Sequence, residues 1–205
     1  MINRRIAEIF PTPIYMAHLD RNFTQEELDI VQKNKATYDE NVGNKTSANK
    51  HVLECAVLAT LKKEILKCID DYFIHVIGPG EQVKPYITQS WFNYAETGQY
   101  HQWHNHSNSY LSGGIYINAN KDTDKMQFQE IKFEAIKIVS KQRNKFNSPI
   151  HEFSVETGDI LLFPSNILHA VPANVGKHTR ISLAFNIFIK GEIGAPVLLN
   201  ELKLL

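Results

Sequence analysis

Gly98-Gln99-Tyr100-His101-Gln102-Trp103-His104-Asn105-His106-Ser107-Asn108-Ser109-Tyr110-Leu111-Ser112-Gly113-Gly114-Ile115-Tyr116 is the stretch on which the reading of the chain turns. It places three of the nine histidines within six residues, between two runs rich in aromatic and branched side chains. Along an extended strand successive side chains point to opposite faces. His104 and His106 therefore share one face, and His101 and Trp103 have the other parity. A His-x-His pair in this setting can chelate a metal, or it can be a polar cluster at a solvated strand end. A third ligand further along the chain decides between the two.

Outward from this stretch the pattern is that of strands. Tyr86-Ile87-Thr88 and Ser90-Trp91-Phe92-Asn93-Tyr94 precede it, and Tyr110 to Ile117 is the next strand. After a turn at Asn118 to Lys125, Met126 and Phe128, then Ile131, Phe133 and Ile136, predict an alternating strand or hairpin. Phe153 to Val155 and Ile160 to Pro164 flank a Thr157-Gly158-Asp159 turn. In Arg180 to Ile189, Ile181, Leu183, Phe185 and Ile187 alternate with Ser182, Ala184 and Asn186.

Towards the N-terminus the period changes. Thr24 followed by Glu27 is a capping-box start for a short helix to about Asn34. Leu53 to Ile77 carries Val57, Leu58, Leu61, Ile65, Ile69, Phe73 and Val76 mostly at helical spacing and stops at Gly78-Pro79-Gly80. A short strand follows Pro11 and Pro13, with Ile14, Met16 and His18 on one side. Lys35 to Lys50 is polar and reads as a mobile loop, of a length that usually covers something.

A few helices followed by many short strands describe an α+β chain dominated by an antiparallel barrel or double sheet. Helices packed on one sheet face would leave the barrel mouth open to a ligand. The 205 residues suit a single domain over 1–205, with a helical part at 1–80 and a β core at 81–190. Twenty-two basic and 22 acidic residues leave no net charge, which predicts neither nucleic-acid binding nor attraction to an anionic membrane. No apolar run approaches the roughly 20 residues of a bilayer span, and the first ten residues lack the apolar core of a secretory leader. Cys55 and Cys68, on what reads as one helix, would lie roughly 20 Å apart at about 1.5 Å per residue, beyond disulfide reach. A reducing, cytoplasmic setting is expected.

The third ligand candidate is His169, within Phe163-Pro164-Ser165-Asn166-Ile167-Leu168-His169-Ala170-Val171-Pro172. Arg180 and Ser182 then face one side of the last long strand. A metal at one end of a cavity and a guanidinium with a hydroxyl at the other suit a small dicarboxylate. The alternative for Arg180 is a salt bridge on that strand. His101 is expected to be an exposed or hydrogen-bonded histidine outside the ligand set.

Taken in order, His104-x-His106, Ser112-Gly113-x-x-Tyr116, Gly158-Asp159-x-Leu161-Leu162-Phe163-Pro164-Ser165, His169-x-Val171-Pro172 and Arg180-Ile181-Ser182-x-x-Phe185-Asn186 resemble the 2-oxoglutarate- and Fe(II)-dependent oxygenases. The likeness is to a bacterial and phage group, prolyl-hydroxylase-like, and Ile9-Phe10-Pro11-Thr12-Pro13-Ile14-Tyr15 is similar to its opening. The resemblance implies a double-stranded β-helix, a jelly-roll of cupin-like form with N-terminal helices packed on one sheet. It implies Fe(II) held by His104, His106 and His169, and 2-oxoglutarate as cosubstrate held by Arg180 and Ser182, with a hydroxyl contact from Tyr116. The implied reaction couples oxidative decarboxylation of 2-oxoglutarate to hydroxylation of a small-molecule or peptide substrate.

In one respect the sequence departs from the wider pattern. Related oxygenases commonly use His-x-Asp/Glu within a two-histidine, one-carboxylate triad, and here the second position is His106. Asp159 lies in a turn, where it is poorly placed to substitute. Two other readings remain: a three-histidine, cupin-type metalloenzyme that needs no 2-oxoglutarate, and a non-catalytic β-barrel binding module.

Overall fold

A computed structural model describes residues 2, 5–80, 82–131, 136 and 138–204. The chain begins with β1 (Tyr15–His18), α1 (Gln25–Lys35), β2 (Tyr38–Asn41) and β3 (Asn44–Ser47). Two single 3-10 turns lead into α2 (Ala59–Tyr72), which widens to a π turn over Phe73–Ile77. There follow β4 (Lys84–Ala95), β5 (His101–His104), β6 (Leu111–Asn118), β7 (Lys125–Gln129), β8 (Ile150–Ser154), β9 (Asp159–Pro164), β10 (Leu168–Val171), β11 (Arg180–Ile193) and β12 (Leu202–Leu204).

The strands form two sheets. The larger has the order β1-β9-β6-β11-β4-β3-β2, with β12 also paired to β11, and the smaller has the order β5-β10-β7-β8. All the strand pairs are antiparallel. From β4 to β11 the chain crosses repeatedly between them: β4, β6, β9 and β11 lie in the larger sheet, and β5, β7, β8 and β10 in the smaller. The fold is therefore mostly β with few helices. Among the described residues, no helix is long and apolar enough to cross a membrane.

The helices cover one face of the larger sheet. Leu61, Ile65, Ile69 and Tyr72 recur along one side of α2 and are buried, as the 3.6-residue period requires. They join Phe92, Tyr94, Ile115, Leu162, Leu183 and Phe185 in one core. At α1 the capping box is complete: Thr24 accepts from the Glu27 backbone N–H, and Glu27 accepts from that of Thr24. Arg21 donates both to buried Glu27 and to Glu64 of α2, which ties the helices together. Gly78, left-handed at φ 58°, ends the π turn through a bond from its N–H to Phe73 O.

The opposite face of the larger sheet looks towards the smaller one. Tyr116, Leu161 and Phe163 pack there against Met126 and Phe128 of β7 and against Val155. Beyond them this face carries Trp91, Asn93, Ser112, Ser182 and Ala184, and a cavity opens between the sheets.

Four sequence expectations are corrected. The stretch expected to be a mobile loop, Lys35 to Lys50, contains the β2–β3 hairpin, which extends the larger sheet beyond β4. Its polar side chains suit an exposed sheet edge. On β1 the packed residues are Tyr15 and Ala17, while Met16 is exposed; the Tyr15 hydroxyl donates to Asp71 near the end of α2. Cys55 lies between the two 3-10 turns rather than on the helix of Cys68, and both are free thiols. The strand of Met126 and Phe128 stops at Gln129. Ile131 and Ile136 are exposed, and Phe133 lies outside the described residues.

Candidate metal centre

His104 closes β5 and sits directly opposite His169 of β10, with ring centroids 4.1 Å apart. His106 follows two residues later, where its backbone N–H donates to Ser165 O at 3.0 Å. That bond folds the chain so that the His106 ring lies 5.1 Å from His104 and 5.0 Å from His169. One ligand atom from each of the three lies within 4.8 Å of the others. Among the described residues, no carboxylate joins this group.

Hydrogen bonds fix the rings. Nδ1 of His104 faces Gln102 O at 2.7 Å, Nδ1 of His169 faces Ile167 O at 2.9 Å, and Nδ1 of His106 faces Asn186 Oδ1 at 2.6 Å. A carbonyl oxygen only accepts, so in each case Nδ1 carries the proton and Nε2 keeps a lone pair. Burial lowers the pKa of all three imidazoles, that of His169 to about 3. Three neutral rings with free Nε2 atoms are the state a divalent metal needs. The donor set therefore fits an Fe(II) ion, as it would other imidazole-binding metals.

His101 is not in this group, yet it lies beside it. Its ring stacks on His104 at 4.2 Å, and its Nε2 pairs with the Asn41 side-chain amide of β2 at 3.3 Å. The expected hydrogen-bonded role holds, but the expected opposite parity does not. Val171 opposes His101 and His169 opposes His104, so three steps on β5 match two on β10. That irregularity is a β-bulge, and the extra residue returns His101 to the cavity face.

Trp91 of β4 stacks on His106 with centroids 5.9 Å apart, and its indole N–H donates to Asn93 Oδ1. Asn93, Ser112, Tyr116 and Ser182 complete the large-sheet wall of the cavity. Ser182 lies directly opposite Tyr116 and accepts from Asn93 Nδ2 at 3.4 Å. The Tyr116 hydroxyl contacts Met126 Sδ at 3.8 Å, and burial pushes its pKa up to about 12. It remains a neutral donor.

Arg180 begins β11 and is almost fully buried. Its Nη1 donates to Asp124 Oδ1 at 3.2 Å and its Nη2 to Pro172 O at 3.0 Å. The salt-bridge reading of Arg180 is met, and two of its five N–H donors account for the contacts just named. Sequence reasoning missed Asp124. It is fully buried, and its other oxygen accepts from the Asn120 N–H and pairs with His178 Nε2. His178 and Arg180 lie more than fifty residues away, so nothing in its local sequence marks those two pairings. Asp159 pairs with His18 at the far end of β9 and takes no part in the centre.

Residues 89–186, which contain His104, His106, His169, Arg180, Ser182 and Tyr116, match the family described as "Putative 2OG-Fe(II) oxygenase". The resemblance read from the sequence is borne out. This segment belongs to the 2OG-Fe(II) oxygenases, whose cofactors are Fe(II) and 2-oxoglutarate.

The fold is similar to solved members of the same class. A prolyl hydroxylase from Trichoplax adhaerens, in complex with a hypoxia inducible factor peptide fragment, superposes with TM-score 0.58 at 12% identity, covering 85% of this chain and 83% of that one. HygX from Streptomyces hygroscopicus, with nickel, 2-oxoglutarate and hygromycin B bound, gives 0.55 at 11%, covering 86% and 82%. The non-heme alpha ketoglutarate dependent epimerase SnoN from nogalamycin biosynthesis gives 0.58 at 9%, covering 88% and 81%. No curated protein matches the sequence.

Proposed function

We propose that the chain is a single-domain, Fe(II)- and 2-oxoglutarate-dependent dioxygenase, with a helical part at 1–80 and a double-stranded β-helix core at 81–190. The alternation of β4 to β11 between two sheets supports that core. One observation carries the functional reading: three imidazoles tied at Nδ1 turn their ligand nitrogens to a common point inside the cavity.

In this reading His104, His106 and His169 hold the iron. Arg180, Ser182 and Tyr116 hold the far carboxylate of 2-oxoglutarate, where a guanidinium and two hydroxyls supply charge-assisted hydrogen bonds. Three neutral ligands leave the ion's charge uncompensated, so the dianion also matters for binding. When bound, iron and 2-oxoglutarate would supply, with dioxygen as oxidant, decarboxylation to succinate and CO2 coupled to hydroxylation of the substrate. The chain's own share is to orient the cosubstrate and to keep the cavity apolar beside Leu161, Phe163 and Met126. The substrate is a small molecule or a peptide, entering past the polar vestibule that Asn41, Trp91 and Asn105 help to line. Free Cys55 and Cys68 fit a reducing compartment.

Succinate release from 2-oxoglutarate, dependent on added Fe(II) and absent in His104→Ala, tests the reaction. A mass-spectrometric screen of peptide and metabolite pools for addition of one oxygen atom tests the substrate. The Asp124 salt bridge on Arg180 favours a second reading, a three-histidine metalloenzyme without 2-oxoglutarate, because the guanidinium charge is already compensated. Metal-dependent turnover that ignores 2-oxoglutarate would select it.

A further inference from the structure

His106 occupies the position at which related oxygenases commonly carry a carboxylate, and its ring is held differently from the other two. His104 and His169 each donate to a backbone carbonyl two residues earlier in their own strand segment. Their orientation is local. His106 donates instead to a side chain eighty residues away, Asn186 Oδ1 on β11.

An amide acceptor is ambivalent. Rotated half a turn, Asn186 would present its NH2 group, and His106 would have to accept at Nδ1 and carry its proton on Nε2. The ligand lone pair would then be lost. A second contact opposes that rotation: Ser112 Oγ donates to the same Asn186 Oδ1 at 3.2 Å. Ser112 is the direct cross-strand neighbour of Asn186 on β6. Its hydroxyl also meets Ser165 at 2.8 Å, and Ser165 meets Ser109 at 2.9 Å. Both Ser112 and Ser165 are almost fully buried, so solvent does not compete for these bonds.

We infer that Asn186 is the positioning residue that sets the tautomer of His106, and that Ser112 holds the Asn186 amide the right way round. The inference rests on the reading of His106 as a ligand. Asn186 supplies orientation without charge, whereas an aspartate there would add a negative charge one hydrogen bond from the His106 ring.

Long-range proton–nitrogen spectra of the metal-free, 15N-labelled protein read the tautomer directly, and a Zn(II) titration reads the consequence for binding. The native chain is expected to show His106 protonated on Nδ1. Asn186→Asp should keep that tautomer and bind Zn(II) at least as tightly. Asn186→Leu should move the proton to Nε2 and weaken Zn(II) binding by about 10–100-fold, the usual loss on removing such a partner. Ser112→Ala, a smaller change, should populate both tautomers, and it carries the test if the leucine variant does not fold. A native His106 protonated on Nε2, or an unchanged tautomer in both Asn186→Leu and Ser112→Ala, would overturn the inference. Because the tautomer is read without metal, an absence of 2-oxoglutarate turnover would count against the proposed function alone.

Discussion

The two faces of the larger sheet are built from the same strands and have opposite chemistry. On β11 the residues turned to the helices are Ile181, Leu183, Phe185 and Ile187, all in the main core. The residues between them, Ser182 and Ala184, line the cavity, and Asn186 holds His106. On β4 the same alternation sets Phe92 and Tyr94 against Trp91 and Asn93. One face supplies burial and hence stability, and the other leaves room and hydrogen bonds for a ligand. A strand period of two lets one sequence serve both needs.

Breaking the cavity face should cost function with little loss of fold. His169→Ala removes one of the three proposed ligands and is expected to abolish Fe(II) binding, read by calorimetry, while the far-UV spectrum stays that of the native protein. The core face should respond the other way. Phe185→Ala is expected to destabilise the chain by about 3–5 kcal/mol in urea unfolding, from lost burial and the cavity it leaves.

Arg180, proposed to hold 2-oxoglutarate and paired with buried Asp124, sharpens the contrast. Arg180→Ala should lose 2-oxoglutarate binding, and it also strands Asp124, buried and with one charged partner removed. Breaking such a buried pair costs about 3–5 kcal/mol. Replacing Asp124 together with Arg180 by apolar residues should restore much of that stability and none of the binding. Ser182→Ala, on the cavity face, is expected to raise the 2-oxoglutarate KM while costing about 1 kcal/mol of stability or less. The smallest effect on function is expected far from both faces, where Thr24→Ala removes the cap of α1, costs about 1 kcal/mol of stability and leaves 2-oxoglutarate binding unchanged.

The features legible in the sequence were those with a strong local signature. The capping box of Thr24 and Glu27 and the alternation in β11 are short-range patterns that form as read, while the helical stripe read over Leu53 to Ile77 is α-helical only over Ala59–Tyr72, with Val57 exposed before it and a π turn after it. His104, His106 and His169 also come together, because β5 and β10 pair beside the cavity, whereas Arg180 at the start of β11 pairs with Asp124.

What was missed depends on contacts distant in sequence. The bulge that turns His101 inward leaves no mark in residues 101–104; it exists only relative to β10. The β2–β3 hairpin has no apolar alternation because it is an edge, although Gly43 in its turn was a usable signal. That glycine is left-handed at φ 84°, and a Cβ on it would stand 2.7 Å from Tyr100 O. The close approach allows the Tyr100 N–H to bond Gly43 O at 2.9 Å and hold the hairpin against the segment leading into β5. Asp124, within a polar turn, gains its role only from Arg180 and His178 across the fold.

The central claim is that the cavity face binds Fe(II) through His104, His106 and His169 and takes 2-oxoglutarate beside it. Anaerobic titration of the protein with Fe(II) and 2-oxoglutarate tests this most directly. The account predicts a weak visible charge-transfer band that needs both components and disappears in His106→Ala. Fe(II) bound through the three histidines with no such band on adding 2-oxoglutarate would contradict it.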